Sequence, residues 1–456
     1  MLLASRGGIH LDISDEELDS LFSDALSRAL GEIKRSGPVL IIPPDITRFY
    51  SRAGFLTDVA ARELGAGAQD RLGAVIPALG THMAMTDTEL RRMYSGTPAD
   101  KFFVHDWRND VMTLGRIEGT LVEKLSEGRV NYDWPVQVNK LLVGNNFSMI
   151  LSIGQVVPHE ATGMANHTKN IFVGTGGKEA IDKSHFLGAT YGMERIMGRA
   201  ETPVRALFDE GYKRYGDQIP PVLFILTVVG PRSSSEAEKE ILRQDPKEPG
   251  FSSGKPGVSL AVRGIFIGFG RECFEEAAAL SRQVNVDLLD EPIKKAVVYL
   301  EPEEFRTTWL GNKAIYRTRM AMADGGELLV LAPGLMRFGE DEGVDKFIRK
   351  FGYRPGKEVL EIMEKEADLA GNLSVAAHLI HGSSEERFTV RYCPGSGVSR
   401  AEIESVGYDW GSLDEAVSWY NPGKLQSGWN TLSGGEKIFF VPNPALGLWS
   451  EKKKFN

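Results

Sequence analysis

Only two cysteines, Cys273 and Cys393, occur in 456 residues. That excludes a disulfide framework and any zinc or iron–sulfur site built on four thiolates. A metal would have to take its protein ligands chiefly from histidine and carboxylate. No apolar run approaches the ~18 residues of a membrane helix, so no membrane partner is expected. Basic blocks are missing apart from the EKKK run near the C-terminus, and the net charge is −9. Both features disfavour a general nucleic-acid binder and leave small anions to local cationic pockets. The opening MLLASRGGIHLD lacks the basic and long apolar segments of a secretory signal, so a cytoplasmic location is expected.

What is present is ordinary for a globular chain, with 42% hydrophobic and 25% charged residues. The length is about three times that of a common domain, which favours two domains. Ser14 and Glu17 have the S-x-x-E capping spacing, and Leu18, Leu21, Phe22, Ala25, Leu26, Ala29, Leu30 and Ile33 follow with helical periodicity. Val39 to Ile42 reads as a buried strand ending in Pro43-Pro44-Asp45, and Ala74 to Leu79 as another ending in Gly80-Thr81-His82. Thr86 and Glu89 cap the next helix. Further strands are predicted at Phe102–His105, Leu141–Val143, Met149–Ile153, Val222–Val229 and Ala261–Ile267, alternating with helical patterns. This is the signature of a mostly parallel α/β sheet, in which ligands gather beyond the strand carboxyl ends, where Asp45 and His82 fall. Residues 232–257 read as a polar excursion. A helix beginning near Cys273, a strand at Ala296–Leu300, a helix over Asn312–Met322 and a strand at Leu328–Leu331 make a new βαβ unit. The expected architecture is two α/β domains, 1–272 binding the cofactor and 273–456 closing over the substrate, with the active site in the cleft between them.

Chemistry-bearing residues concentrate in strand-end and glycine-rich segments. Of eight histidines, His82, His159, His167 and His185 lie in such places. The stretch from Pro158 to Gly177 mixes histidine, lysine and glycine after a strand, the kind of loop in which binding and catalysis concentrate. Taken alone, Lys169 is compatible with a Schiff-base lysine, a phosphate contact or a solvated loop charge. Asp45 and Arg48 are compatible with a local turn and ion pair, or with an arginine gripping a carboxylate through two hydrogen bonds.

The set Asp45-Ile46-Thr47-Arg48, Gly80-Thr81-His82, then His159, Gly163 and Lys169, then His185, resembles the nickel-dependent lactate racemase family. The separations agree, with Lys169 ten residues after His159 and His185 sixteen after Lys169. The resemblance covers the N-terminal domain and continues more weakly through residues 273–351. It implies nickel and a nickel-pincer nucleotide, pyridinium-3,5-bisthiocarboxylate mononucleotide, attached at Lys169 and touched by Asp45, Ile46, Thr47 and Arg48. It implies His185 as a nickel ligand, suited to square-planar Ni(II). It further implies His82 and His159 as the acid/base pair, with Arg48 and Lys313 binding substrate. The implied activity is that of an isomerase, a racemase or epimerase acting on a 2-hydroxy acid, with cofactor-synthesis proteins as loading partners.

Two departures bear on the substrate. Asn166-His167 stands where small residues are usual in lactate racemases, and Leu310 stands where a polar amide is expected. Lys313, Tyr316 and Arg317 are spaced to share a helical face. If these groups all line the site, a polyhydroxylated or second-carboxylate substrate such as an aldonic acid is expected to be preferred over lactate. The competing readings are a zinc metallohydrolase using His82, His159 and His185, and a non-catalytic carrier of the nickel cofactor.

Overall fold

The computed structural model describes residues 1–66, 70–144, 146–232 and 259–455. The excursion expected over residues 232–257 therefore lies outside the described residues, apart from Arg232. The chain divides into two compact units: Met1–Ser184 with Gly198–Val284, and His185–Met197 with Asn285–Asn456.

The first unit is built on a six-stranded sheet of β1 (Leu2–Gly7), β2 (Val39–Ile42), β3 (Leu72–Val75), β6 (Met149–Gln155), β9 (Val222–Pro231) and β10 (Leu260–Gly268). The spatial order is β1-β10-β9-β6-β2-β3. The four strands β9, β6, β2 and β3 are parallel, with β3 at one edge, and β10 and β1 are added antiparallel. The run Val39-Leu40-Ile41-Ile42 is wholly buried, as a parallel strand covered on both faces must be. The helix α1 (Asp15–Glu32) starts where Ser14 accepts the Glu17 N–H. It buries Leu18, Phe22, Ala25, Leu26 and Ala29, the single stripe its period requires. The hairpin β4 (Val111–Ile117) with β5 (Trp134–Asn139) stands apart from the main sheet. Two small strands, β7 (Pro158–His159) and β8 (Gly163–Met164), form a second hairpin just past β6.

The helix Arg271–Asn285 belongs to the first unit up to Val284, so the division falls later than residue 272. Glycine explains the close packing. A Cβ on Gly264 would lie 2.7 Å from Leu280 Cδ2, and one on Gly230 would lie 2.1 Å from Val284 Cγ1. The segment His185–Met197 groups instead with the second unit, where Met193 and Met197 share a buried cluster with Tyr316, Met320, Leu448 and Phe455.

The second unit carries its own six-stranded sheet, β15-β14-β13-β12-β17-β16. Its strands are β12 (Ile293–Tyr299), β13 (Met322–Ala332), β14 (Thr389–Pro394), β15 (Asp409–Trp410), β16 (Gly428–Thr431) and β17 (Lys437–Val441). All pairings are parallel except β16 with β17. Both units are therefore α/β with mostly parallel sheets, as the alternating pattern predicts. Among the described residues no helix is long and apolar enough to cross a membrane.

Three predicted elements differ. Phe102 makes only an isolated bridge to Val75, and His105 turns inward to bond a loop carbonyl. Leu141 lies in a helical turn, Lys140–Leu142, capped by Asn139; the neighbouring strand β5 precedes it. The helix expected over Asn312–Met322 is two short turns, Thr308–Gly311 and Lys313–Tyr316, and Met322 already begins β13.

Candidate active site

The chain runs from β2 outward to β3, then returns so that β6 lies on the other side of β2. Neighbouring connections thus diverge between β2 and β6, and the crevice beyond their carboxyl ends is the position at which open α/β sheets hold ligands. Asp45 follows β2, His82 follows β3 and His159 follows β6, so topology alone delivers three predicted residues to adjacent strand ends.

Asp45 is 4% exposed. One carboxylate oxygen, Oδ1, accepts from the Thr47 N–H at 3.1 Å and the Thr47 hydroxyl at 2.5 Å. The other, Oδ2, meets His82 Nδ1 at 2.5 Å. Burial would raise this carboxyl, but the charge and hydrogen bond of His82, the Thr47 hydroxyl and the Arg48 charge outweigh it and hold it below the usual range. The carboxylate fixes a proton on Nδ1 of His82 and leaves Nε2 with its lone pair outward. Arg48 is half-buried on the turn Ile46–Ser51 that Asp45 caps. Gly80, with φ of 57°, makes the left-handed turn before His82, and its N–H donates to Gly174 O at 2.9 Å.

His159 is buried on the β7–β8 hairpin, and its Nδ1 accepts the Ala161 N–H at 3.2 Å with a Glu160 carboxylate oxygen 3.8 Å away. After the hairpin, Asn166 and His167 both adopt left-handed backbone, φ 66° and 58°. Such residues cost on the order of 1 kcal/mol or more each and persist only where surrounding contacts hold them. Lys169, half-buried, then opens a π-helical turn, Asn170–Gly174, a distortion that recurs at functional sites. Asn170 Nδ2 donates to Ile42 O at 3.3 Å and to Ser152 Oγ at 3.0 Å, pinning this turn to both β2 and β6.

Burial pushes the Lys169 ammonium down to about 8; the Arg48 charge adds to the effect, while Glu160 and Asp45 oppose it. The same interactions put Lys169 in the field of Arg48, Asp45 and Glu160. A lysine so placed holds on the order of 10²-fold more neutral amine at pH 7 than a solvated one. The structure thus brings Asp45, Thr47, Arg48, His82, Glu160 and Lys169 into one electrostatic neighbourhood, with Ile46 on the same turn.

His185 and Lys313 belong to the second unit. His185 is half-buried on α5 (Lys178–Tyr191), one residue past the end of the first unit's Met1–Ser184 segment. Lys313 is half-buried, with Nζ 5.8 Å from the Phe305 ring centroid.

The side chains behind the expectation of a larger substrate are packed away. His167 is 3% exposed, with its ring 4.1 Å from Phe224 and 5.2 Å from Phe274 between centroids. Burial, reinforced by Arg205, drives its imidazole well below its usual range, so it is neutral packing. Asn166 turns its amide back on the chain, accepting the His167 N–H at 2.7 Å. Tyr316 is buried in the methionine cluster, and Arg317, 1% exposed, donates to Gly447 O at 3.1 Å. A polar i, i+3, i+4 spacing reads as a cationic face, but the short turns of this segment sit in the second unit's core.

Sequence reasoning missed Glu160, Asn170, His105 and Arg205. His105 Nε2 donates to Gly176 O at 2.9 Å and its Nδ1 accepts from Asn139 Nδ2 at 3.0 Å. Only Glu160, inside the His159 loop, carried a usable signal.

Residues 13–196 match the family described as the lactate racemase N-terminal domain. This part of the chain is similar to the lactate racemase family. The lactate racemase apoprotein from Thermoanaerobacterium thermosaccharolyticum shares the fold at 14% identity, TM-score 0.66, covering 98% of this chain and 94% of that one. A crystal structure of a protein from Thermotoga maritima is similar at 21% identity, TM-score 0.77, covering 98% of this chain and 100% of that one. The solved structures show the shared fold, and the family match supports a racemase-like function.

The donor chemistry fits the cofactor that the lactate racemase family implies. Among the described residues, no three His, Cys, Asp or Glu side chains group as a metal site. A nickel held mainly by a nucleotide's own donors needs one protein imidazole and a reactive lysine, and Lys169 has the lowered ammonium for the second role.

Proposed function

We propose that the protein is a racemase or epimerase that inverts the α-carbon of a 2-hydroxy acid, using a nickel-pincer nucleotide loaded by cofactor-synthesis proteins. The observation that carries this reading is the Asp45–His82 pair, joined at 2.5 Å, at the same switch point as Arg48 and a lysine with a lowered ammonium. Carriage of a cofactor alone would need no oriented imidazole.

The α-C–H of a 2-hydroxy acid is too weak an acid for easy proton abstraction, whereas loss of hydride leaves a stable 2-keto acid. When bound, the nucleotide supplies a reversible hydride acceptor. The chain supplies the rest. Arg48 pairs with the substrate carboxylate in the two-bond geometry of guanidinium and carboxylate. His82, with its Nδ1 proton directed at Asp45, takes the hydroxyl proton at Nε2. His159 serves the opposite face as the second acid/base group. Lys169 would hold the nucleotide through its amine, and His185 would ligate the nickel. His185 and Lys313 enter this reading through the resemblance alone. A substrate larger than lactate, such as a sugar acid, now rests on Leu310 and Lys313.

The test is to produce the full chain together with the cofactor-synthesis proteins, quantify nickel and the mass added at Lys169, and follow optical rotation. The substrate panel would hold lactate, malate and several aldonic acids. Interconversion of at least one pair of epimers or enantiomers is expected. A nickel-loaded protein inert toward the whole panel would refute the proposal.

A further inference from the structure

Arg205, in the first turn of α6 (Pro203–Tyr215), is fully buried although it is a permanent cation. Its guanidinium is spent on the loop that leads to Lys169. Nη1 donates to Asn166 O at 3.1 Å and to Thr168 Oγ1 at 3.0 Å, and Nη2 donates to Met164 O at 2.6 Å. The plane lies over the Phe274 ring, 4.3 Å from its centroid, the same ring that His167 stacks on. Thr168 passes a hydrogen bond on to Asp209 at 2.9 Å, and Asp209 is paired with Arg271. Nε of Arg205 is buried without a partner. A site needing only packing would not retain a charge so poorly compensated, since an apolar side chain of similar volume fills such a place at no desolvation cost.

We propose that Arg205 is a positioning residue for Lys169, clamping residues 164–168 so that two consecutive left-handed residues, Asn166 and His167, hold the lysine at the switch point. Two carbonyls and the Thr168 hydroxyl, all within five residues, hold the chain before, within and after these left-handed positions. Arg205 also contributes, after burial and Arg48 and against Glu160 and Asp45, to lowering the Lys169 ammonium. The clamp gives a conformational reason for Asn166-His167 in a place where small residues are usual. Asparagine tolerates left-handed backbone better than most residues, and the neutral imidazole fills the slot between Phe224 and Phe274.

The inference rests on the proposed function only in giving Lys169 the cofactor, and its test uses the full chain purified without cofactor, so the two fail separately. Arg205→Met and Arg205→Lys are compared with the parent by hydrogen exchange of peptides spanning residues 160–172 and by pH-dependent acetylation of Lys169. Exposed Lys357 serves as the internal reference. In Arg205→Met, exchange across 164–170 should accelerate at least tenfold while the β2 and β6 peptides stay protected, and the labelling midpoint of Lys169 should move upward toward that of Lys357. Arg205→Lys keeps the charge but cannot reach three acceptors. It should loosen the loop yet leave the midpoint near the parent value, and it carries the test if the methionine variant does not fold. Unchanged loop exchange in the variants, or loss of protection spread evenly over the unit, would overturn the proposal.

Discussion

Replacing Asp45 by asparagine changes one atom and should reverse the polarity of His82. In the native site Oδ1 accepts the Thr47 N–H and hydroxyl, and Oδ2 faces His82 Nδ1 at 2.5 Å. A backbone N–H demands an acceptor, so the asparagine carbonyl must take the Thr47 side, which turns Nδ2 toward His82. Two donors cannot face each other. The imidazole must then accept at Nδ1, carry its proton on Nε2, and lose the outward lone pair that takes the substrate proton. A wrong tautomer in a comparable acid/base relay costs about 10⁴-fold in kcat, so a fall of roughly 10²–10⁴ is expected for Asp45→Asn. Asp45→Ala leaves the imidazole free to choose its tautomer in water. It should therefore be the milder lesion for turnover, although it strands the Thr47 N–H and costs about 1–3 kcal/mol of stability. The assay pairs enantiomer interconversion rates with ¹⁵N shifts of His82. The reasoning is wrong if Asp45→Asn keeps the Nδ1–H tautomer, or if Asp45→Ala proves the slower variant.

His82→Ala and His159→Ala should each lower turnover by roughly 10²-fold or more while Lys169 stays modified, and normal rates in either would reject the pair. His185→Ala should lose nickel while the mass added at Lys169 remains, read by metal analysis and intact mass. Gly264→Val should destabilise the first unit by roughly 1–3 kcal/mol, because a Cβ there would lie 2.7 Å from Leu280 Cδ2; urea unfolding measures it. The Asp45 carboxyl lies below its usual range in the fold. Its contribution to stability is therefore present above the unfolded value near 4 and lost as pH falls through the lower native value. The stability gap between parent and Asp45→Asn should narrow over that window in urea titrations at stepped pH.

The parts of the fold that were legible are those where one local rule dominates. The wholly apolar Val39–Ile42 could only be a strand covered on both faces, and Ser14 and Thr86 stop the chain at helix starts by accepting backbone N–H groups. The Leu141–Val143 strand failed because Asn139 caps a turn there, with its Oδ1 accepting the Leu141 N–H at 2.9 Å; an apolar triplet does not reveal a side-chain cap two residues upstream. The same spacing logic placed Tyr316 and Arg317 on a functional face. Helical periodicity gives angular position but not which side is buried, and Arg317 spends its charge on a backbone carbonyl. Arg205 was invisible for the complementary reason: two of its three acceptors are carbonyls of Met164 and Asn166, some forty residues away, and backbone acceptors leave no mark on side-chain sequence.

The candidate site follows from connectivity more than from any single loop. Once β6 returns to the far side of β2, the ends of β3, β2 and β6 must lie side by side, because neighbouring strands in a sheet are about 4.8 Å apart. A residue just past each strand end then falls within reach of the next, which is how Asp45 and His82, thirty-seven positions apart in sequence, form a direct bond. The loop after β6 cannot rely on that proximity alone, since it must travel through the β7–β8 hairpin before reaching Lys169. Its return is enforced by Asn170, which reaches back to Ile42 on β2 and Ser152 on β6. A side chain bonded to both strands at the switch point leaves the lysine one residue before it little freedom in depth. Asn170→Ala should consequently release the π-helical turn and lower Lys169 modification while leaving the Asp45–His82 pair, which depends on β2 and β3, intact by ¹⁵N shift. Loss of the His82 tautomer in that variant would show that the strand ends and the loop form one unit rather than two independently placed halves.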